Sequence, residues 1–343
     1  MKAAIYNPYL DTLGGGERYT MAFALVMAEK DFRVDVEWKD ENIKVRLEKR
    51  FNMDLSKINF VQDIKKGDGY DVCFWVSDGS IPLLHARVNL LHFQFPFTNI
   101  NGKTLLNKMK LFRINKVICN SIFTKSFIDK EFGIKSTVVY PPVSVEQFKP
   151  KRKENLILYV GRFSTLTQAK RQDILIKAFK KFYINSNDWE LVIAGGSEVG
   201  VGDYVKSLRD QAEGYPIRIM ESPSFSQITE LYGKAKLFWS AAGYGIDENK
   251  EPTHVEHFGI TVVEAMAAGC VPLVFNAGGH KEIIKEGNNG YLWKSIGELL
   301  KKTEMLEDDK KLFRETSINA KAGSENYVFE KFKKSFFNIL STT

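Results

Sequence analysis

Glu256 and Glu264 bracket the segment HFGITVV, and Arg162 and Lys170 stand together about ninety residues upstream. These types and spacings suit the holding of a phosphorylated, hydroxyl-bearing ligand. Gly259 lies where an irregular loop gives way to a run of good helix formers, and a glycine there lets a ligand come close to the backbone. The amides of Gly259, Ile260 and Thr261 then sit at a helix N-terminus, where N–H groups lack partners and the helix dipole favours an anion. A nucleotide diphosphate fits that description. Glu264 is positioned on the same helix to accept from a ribose hydroxyl pair, and Glu256 from sugar hydroxyls. Arg162 and Lys170 follow a short apolar run, and two cations at a strand's carboxyl end form a clamp for a leaving group that gains negative charge. Gly14-Gly15-Gly16 follows the first apolar run and reads as another close-approach loop. Taken singly, each also has an ordinary reading: solvated carboxylates, exposed cations, a turn rich in glycine.

Elements that could position these groups alternate along the chain. Short apolar runs at 2–6, 34–38, 72–76, 88–91, 117–119 and 137–140 read as buried parallel strands, with amphipathic segments at 17–29 and 123–132 between them. Pro141-Pro142 and the charged stretch 149–154 read as a linker. A second series follows, with strands at 156–160, 190–194, 217–220, 237–240 and 271–275 and helices at 171–183, 204–211, 227–234 and 260–268. The pattern predicts an α/β protein of two doubly wound parallel-sheet, Rossmann-like domains, 1–145 and 146–325. A break at Gly323-Ser324 precedes a last helix, 329–340, which is expected to cross back so that 326–343 packs on the first domain. Ligands of such sheets lie at the carboxyl ends of the strands, which places the expected active site in the cleft between the domains.

Composition narrows the class. The chain has 343 residues, 44% hydrophobic and 27% charged, as in soluble globular proteins. Cys73, Cys119 and Cys270 are scattered among apolar residues without metal-ligand spacing and read as buried small hydrophobes. Met1-Lys2 leads straight into a strand-like run, and the longest helical apolar stretch, 21–28, is too short to span a bilayer. The expected location is the cytoplasm or the cytoplasmic face of a membrane. A net charge of +7 suits an anionic ligand. No basic stripe interleaved with aromatics supports nucleic acid as a partner. The segment 103–116 (KTLLNKMKLFRINK) has two readings, an interfacial helix on anionic headgroups or an ordinary helix with its apolar side in the core.

The stretch EHFGITVVEAMAAG resembles the E-x7-E signature of retaining glycosyltransferase family 4, which has the GT-B fold. Further landmarks follow the family's order: GGGER, HFQFP, NS at 120–121, YPPVSVEQF, VGR…KRQDILIKAF, VIAGGS and AGGHKEII. They cover residues 2–340, and they look closest to lipid-linked-oligosaccharide mannosyltransferases. The resemblance implies a hexosyltransferase using a GDP- or UDP-linked sugar, mannose favoured and glucose or N-acetylglucosamine alternatives, with a glycan or lipid-linked acceptor and no metal or other cofactor. It implies that Arg162 and Lys170 clamp the diphosphate, Glu264 holds the ribose, and Glu256 lies near the donor sugar. It implies likewise that Gly259, Ile260 and Thr261 meet phosphate or sugar, that Gly15 and Gly16 cover the diphosphate, and that His92 contacts the sugar near the reacting carbon. Two departures stand out. FSTLTQA between Arg162 and Lys170 is longer than the family's, which makes Arg171 an alternative to Lys170, and residues 241–255 form a polar insertion. His85 and His254 match no role. A UDP-sugar 2-epimerase would need a set of acid/base carboxylates that the sequence does not show, and a non-catalytic nucleotide-sugar-binding protein would not need all five polar residues.

Overall fold

The computed structural model describes residues 1–40, 42–164, 170–198 and 200–343. The chain divides into two compact units, residues 1–142 with 329–343, and residues 143–328. In chain order the first unit contains β1 (Lys2–Tyr6), α1 (Gly15–Glu29), β2 (Arg33–Glu37), α2 (Ile43–Phe51), β3 (Ile58–Val61), β4 (Val72–Val76), β5 (Val88–Phe93), α3 (Leu105–Leu111), β6 (Lys116–Cys119), α4 (Ile122–Phe132) and β7 (Thr137–Val138). The second contains β8 (Glu154–Val160), α5 (Gln172–Tyr183), β9 (Glu190–Gly195), α6 (Gly202–Ala212), β10 (Ile217–Glu221), α7 (Phe225–Lys234), β11 (Ala235–Ser240), α8 (Ile260–Ala267), β12 (Val271–Phe275), α9 (His280–Ile283), β13 (Tyr291–Trp293), α10 (Ile296–Asp308) and α11 (Lys310–Ser324). The chain closes with α12 (Phe329–Thr342), which belongs to the first unit.

Both sheets are parallel and doubly wound. Their strand orders are β3-β2-β1-β4-β5-β6-β7 and β10-β9-β8-β11-β12-β13. In each, the chain runs outward to one side from the first strand, then returns to fill the other side. The order therefore reverses between β1 and β4, and between β8 and β11. At such a point adjacent connections leave the sheet in opposite directions and open a crevice at the strands' carboxyl ends. The glycine loop before α1 follows β1, and Arg162 follows β8, so both lie at these reversals.

The first core gathers Tyr19, Phe23, Phe74, Val76 and Leu90 with Phe332, Phe336 and Ile339 of α12. Tyr19 meets Phe332 edge-on at 4.9 Å and Phe23 meets Phe336 at 4.7 Å between centroids. Gly323 and Ser324 form the last turn of α11, so the break expected at that pair falls one residue later. Cys73, Cys119 and Cys270 are buried and free, as the apolar surroundings of each imply. Among the described residues no helix is long and apolar enough to cross a membrane.

Candidate active site

In the second unit, Gly259 enters α8 with φ 115°, a conformation that favours glycine, and among the described residues no side chain caps the helix. A Cβ there would press on Val262, His280 and Ile283. The amides of Gly259, Ile260 and Thr261 therefore head the helix, where N–H groups have no intrahelical partner. Behind them, the loop at Gly278-Gly279 lies backbone to backbone on residues 256–258. The Gly279 N–H donates to the Glu256 carbonyl at 2.8 Å. A Cβ on Gly278 would fall 2.1 Å from that same oxygen, and one on Gly279 2.4 Å from Phe258 Cα. This close approach is the physical content of the AGG in AGGHKEII.

Lys170 reaches Glu256, Nζ to Oε2 2.8 Å, and both side chains are largely buried. Burial of the Glu256 carboxyl opposes its ionisation, but the Lys170 ammonium and the nearby His280 and His257 outweigh it and push its pKa down to about 2. Arg171 does not take this role. Its guanidinium grips Asp173 through Nε and Nη2, each at 3.0 Å, and donates from Nη1 to the Tyr244 carbonyl at 2.9 Å. Residues 165–169 of the long FSTLTQA connection lie outside the described residues.

Arg162 lies just past β8, half exposed, its Nη1 3.4 Å from Glu198 Oε1. Its carbonyl accepts from the buried Gln172 Nε2 at 3.0 Å, and Gln172 Oε1 in turn accepts from the Tyr204 hydroxyl. That chain ties the end of β8 to the start of α5. Glu264 is buried on α8 and accepts from the Tyr232 hydroxyl at 3.1 Å, which fixes one carboxylate oxygen.

One residue that sequence reasoning passed over belongs here. His280, within AGGHKEII, is buried, and its Nδ1 lies 2.9 Å from the Phe275 carbonyl, so that nitrogen carries the proton. Burial lowers its pKa, against the pull of Glu256, and leaves it neutral with an Nε2 acceptor that has no partner among the described residues. The polar insertion 241–255, already visible in the sequence, also has a place here. Its Glu248 accepts from the Gly278 N–H at 2.7 Å and pairs with Lys281, and its Tyr244 packs against Phe275 and Trp293. It braces the glycine loop.

In the first unit, Gly14 precedes α1 and its N–H donates to Glu17 Oε2 at 2.7 Å, as does the Thr12 hydroxyl. Gly15 and Gly16 form the helix's first turn. The expectation for His92 is corrected by its placement. The ring is fully enclosed in the first core, stacked on Tyr19 at 4.2 Å and on Phe74 at 5.4 Å. A side chain on β5 that points into the core cannot also reach a ligand at the strand's end. Gln94, just past β5, is the polar side chain there. It is buried, its Oε1 has no partner among the described residues, and it lies so close on Gly16 that a Cβ on that residue would overlap it. Asn120 holds its carbonyl at 3.1 Å and Ser121 caps α4, which accounts for the NS pair. His85 is exposed, and His254 meets Glu251 at the surface.

Burial pushes the His92 pKa down to about 3, against a smaller upward pull from the Ile118 backbone. The unfolded chain, with an ordinary histidine near 6.5, then binds more protons than the native one below that pH, so stability falls on acidification. His92→Phe, which keeps a stacked ring, is expected to flatten the decline between pH 6.5 and 5, a window above the titration of Glu256. Urea midpoints at several pH values check this, and equal slopes for the two proteins would contradict it.

Comparison with known proteins places this geometry. Residues 143–323 match the family model described as glycosyl transferases group 1. The chain is 24% identical to an uncharacterized glycosyltransferase of Haemophilus influenzae over 99% of both chains. It is 26% identical to a GDP-Man:Man(3)GlcNAc(2)-PP-Dol alpha-1,2-mannosyltransferase of Dictyostelium discoideum, over 65% of this chain and 46% of that one. It thus spans about half the length of that mannosyltransferase. Among solved structures, Anabaena HepE in complex with UDP superimposes with a TM-score of 0.77 at 19% identity, covering 100% of both chains. A glycosyltransferase from Rickettsia africae gives 0.78 at 18% identity, covering 100% and 99%. These two likenesses speak for the fold, which is GT-B, and the family model covers more than half the sequence. The chain belongs to the glycosyl transferases group 1 family and is a glycosyltransferase.

Proposed function

We propose that the chain is a retaining, metal-independent hexosyltransferase of glycosyltransferase family 4, acting on a nucleotide-sugar donor and a glycan or lipid-linked saccharide. The observation that carries this reading is the Lys170–Glu256 pair beside the uncapped N-terminus of α8. Lys170, Arg162 and the amides at Gly259, Ile260 and Thr261 supply positive charge for the departing diphosphate, in place of a divalent ion. Glu256 and the neutral His280 offer acceptors to sugar hydroxyls, and Glu264 offers its carboxylate to the ribose. In the first unit, Gly15 and Gly16 cover the diphosphate, and Gln94 takes the positioning role that the resemblance assigns to His92. The acceptor hydroxyl attacks from the face the nucleotide leaves. The new C–O bond forms as the bond to phosphate breaks, and the acceptor's proton passes to a donor phosphate oxygen.

Similarity to mannosyltransferases whose names carry GDP-Man and PP-Dol favours GDP-mannose and a lipid-linked acceptor. UDP-glucose and UDP-N-acetylglucosamine are the competing donors. The proposed place of work is the cytoplasm or the cytoplasmic face of a membrane, with 103–116 as the contact.

Thermal-shift measurements with GDP, GDP-mannose, UDP-glucose and UDP-N-acetylglucosamine are expected to single out the GDP ligands, followed by transfer assays with and without EDTA. The first-formed product is expected to keep the donor's α configuration by NMR, and turnover to survive EDTA. A β-linked product from an α-linked donor overturns retention, and a Mg²⁺- or Mn²⁺-reversible loss overturns metal independence.

A further inference from the structure

We infer that α3 is a docking element for an anionic lipid surface, an assignment independent of donor, acceptor and stereochemistry. An amphipathic helix ordinarily turns its apolar side inward. This one does the reverse. α3 buries none of its residues, and Leu105, Leu106, Met109 and the following Phe112 are 75%, 61%, 60% and 89% exposed.

The arrangement follows from helical geometry. At 3.6 residues per turn these four side chains share an arc of about 120°. Lys108 lies at one edge of that arc and Lys110 at the other. The opposite side holds Leu111, which packs against the core around Phe93 and Phe132, and Asn107, which donates to the Asn101 carbonyl. Thr104 caps the helix by accepting from the Asn107 N–H at 3.3 Å. The protein thus fixes the helix by its polar and half-buried side and presents the apolar side outward between two lysines.

Charge selects the occupant. Residues 79–128 contain no aspartate or glutamate; Arg87 and Lys125 there pair with Asp71 and Asp129, whereas Lys103, Lys108, Lys110, Arg113 and Lys116 fall in and beside α3. Lys108 and Lys110 form no ion pair among the described residues. Four large apolar chains flanked by long cations match a bilayer surface, in which the apolar chains enter the acyl boundary and the ammonium groups reach the headgroup phosphates. A juxtaposed basic cluster adds attraction specific to anionic lipids. A second copy of this chain would bring the same cations against one another, which disfavours self-association through this face.

Co-sedimentation with vesicles of phosphatidylcholine alone and of an equal mixture with phosphatidylglycerol tests the inference. The full chain is expected to bind the mixed vesicles about tenfold or more tightly than the neutral ones, and less tightly as salt rises. The double variant Leu106→Ser/Phe112→Ser and the double variant Lys108→Glu/Lys110→Glu are each expected to lose most of that binding while melting at the wild-type temperature. If the serine variant melts early, the charge variant decides. Equal partition to both vesicle types, or variants that bind like wild type, would overturn the inference. So would a concentration-dependent dimer that Leu106→Ser/Phe112→Ser dissolves in the absence of vesicle binding.

Discussion

Lys170→Ala is expected to lower turnover by about 10²–10³-fold, the usual loss when one preorganised electrostatic contact to a leaving group is removed. The substitution also leaves Glu256 without its cation, and a partly buried carboxylate stripped of its partner weakens the fold. A companion separates the two effects. Lys170→Met combined with Glu256→Gln removes both charges, so stability is expected to recover while turnover stays low. Arg171→Ala serves as a contrast. It gives up the bonds to Asp173 and the Tyr244 carbonyl, so it is expected to cost stability more than rate. Arg162→Ala is expected to lower turnover in a fully folded protein, since that side chain is half exposed and meets Glu198 at 3.4 Å. Release of nucleoside diphosphate, with melting curves alongside, provides the measurement. Near-normal rates for both Lys170→Ala and Arg162→Ala would remove the clamp.

Glu264→Ala is expected to weaken binding of the bare nucleoside diphosphate by roughly 1.5–3 kcal/mol, the worth of a hydrogen bond to a charged group. That corresponds to a loss of about ten- to a hundredfold in Kd. The Tyr232 hydroxyl, buried and bonded to this carboxylate, complicates the alanine variant because it loses its acceptor. Glu264→Gln retains a carbonyl oxygen for Tyr232 and removes the charge. It is expected to hold the wild-type melting temperature and still bind nucleotide more weakly. Calorimetric titration decides, and unchanged affinity in both variants would free Glu264 from the ribose.

Sequence periodicity exposed the elements that build the sheets' interiors, because a parallel strand covered on both faces is written as an unbroken apolar run. The edges were harder. β3 (INFV) and β13 (YLW) are three or four residues long, and helices α2, α10 and α11 are too polar on average to stand out from loops. The glycines of the candidate site were legible because the backbone requires them: Gly259 at a positive φ, Gly278 and Gly279 at contact distance from a neighbouring backbone. His92 and Gln94 show where that legibility ends. They sit two apart around the end of one strand, and only the packing of Tyr19 and Phe74 onto the ring, and of Gly16 onto the amide, tells core from surface. His280 escaped for a related reason, since the role proposed for it rests on a tautomer fixed by the Phe275 carbonyl.

Helix α12 has a consequence for synthesis. Phe332, Phe336 and Ile339 complete the core that β1 and α1 begin, yet the whole of the second unit is translated between them. At about 5–20 residues per second, the sheet made first waits many seconds with part of its apolar face uncovered, while the later unit can already close on itself. The first core, begun first, is thus completed last. Until α12 leaves the exit tunnel, the aromatic surface of Tyr19, Phe23 and Phe74 is a natural target for a holding chaperone.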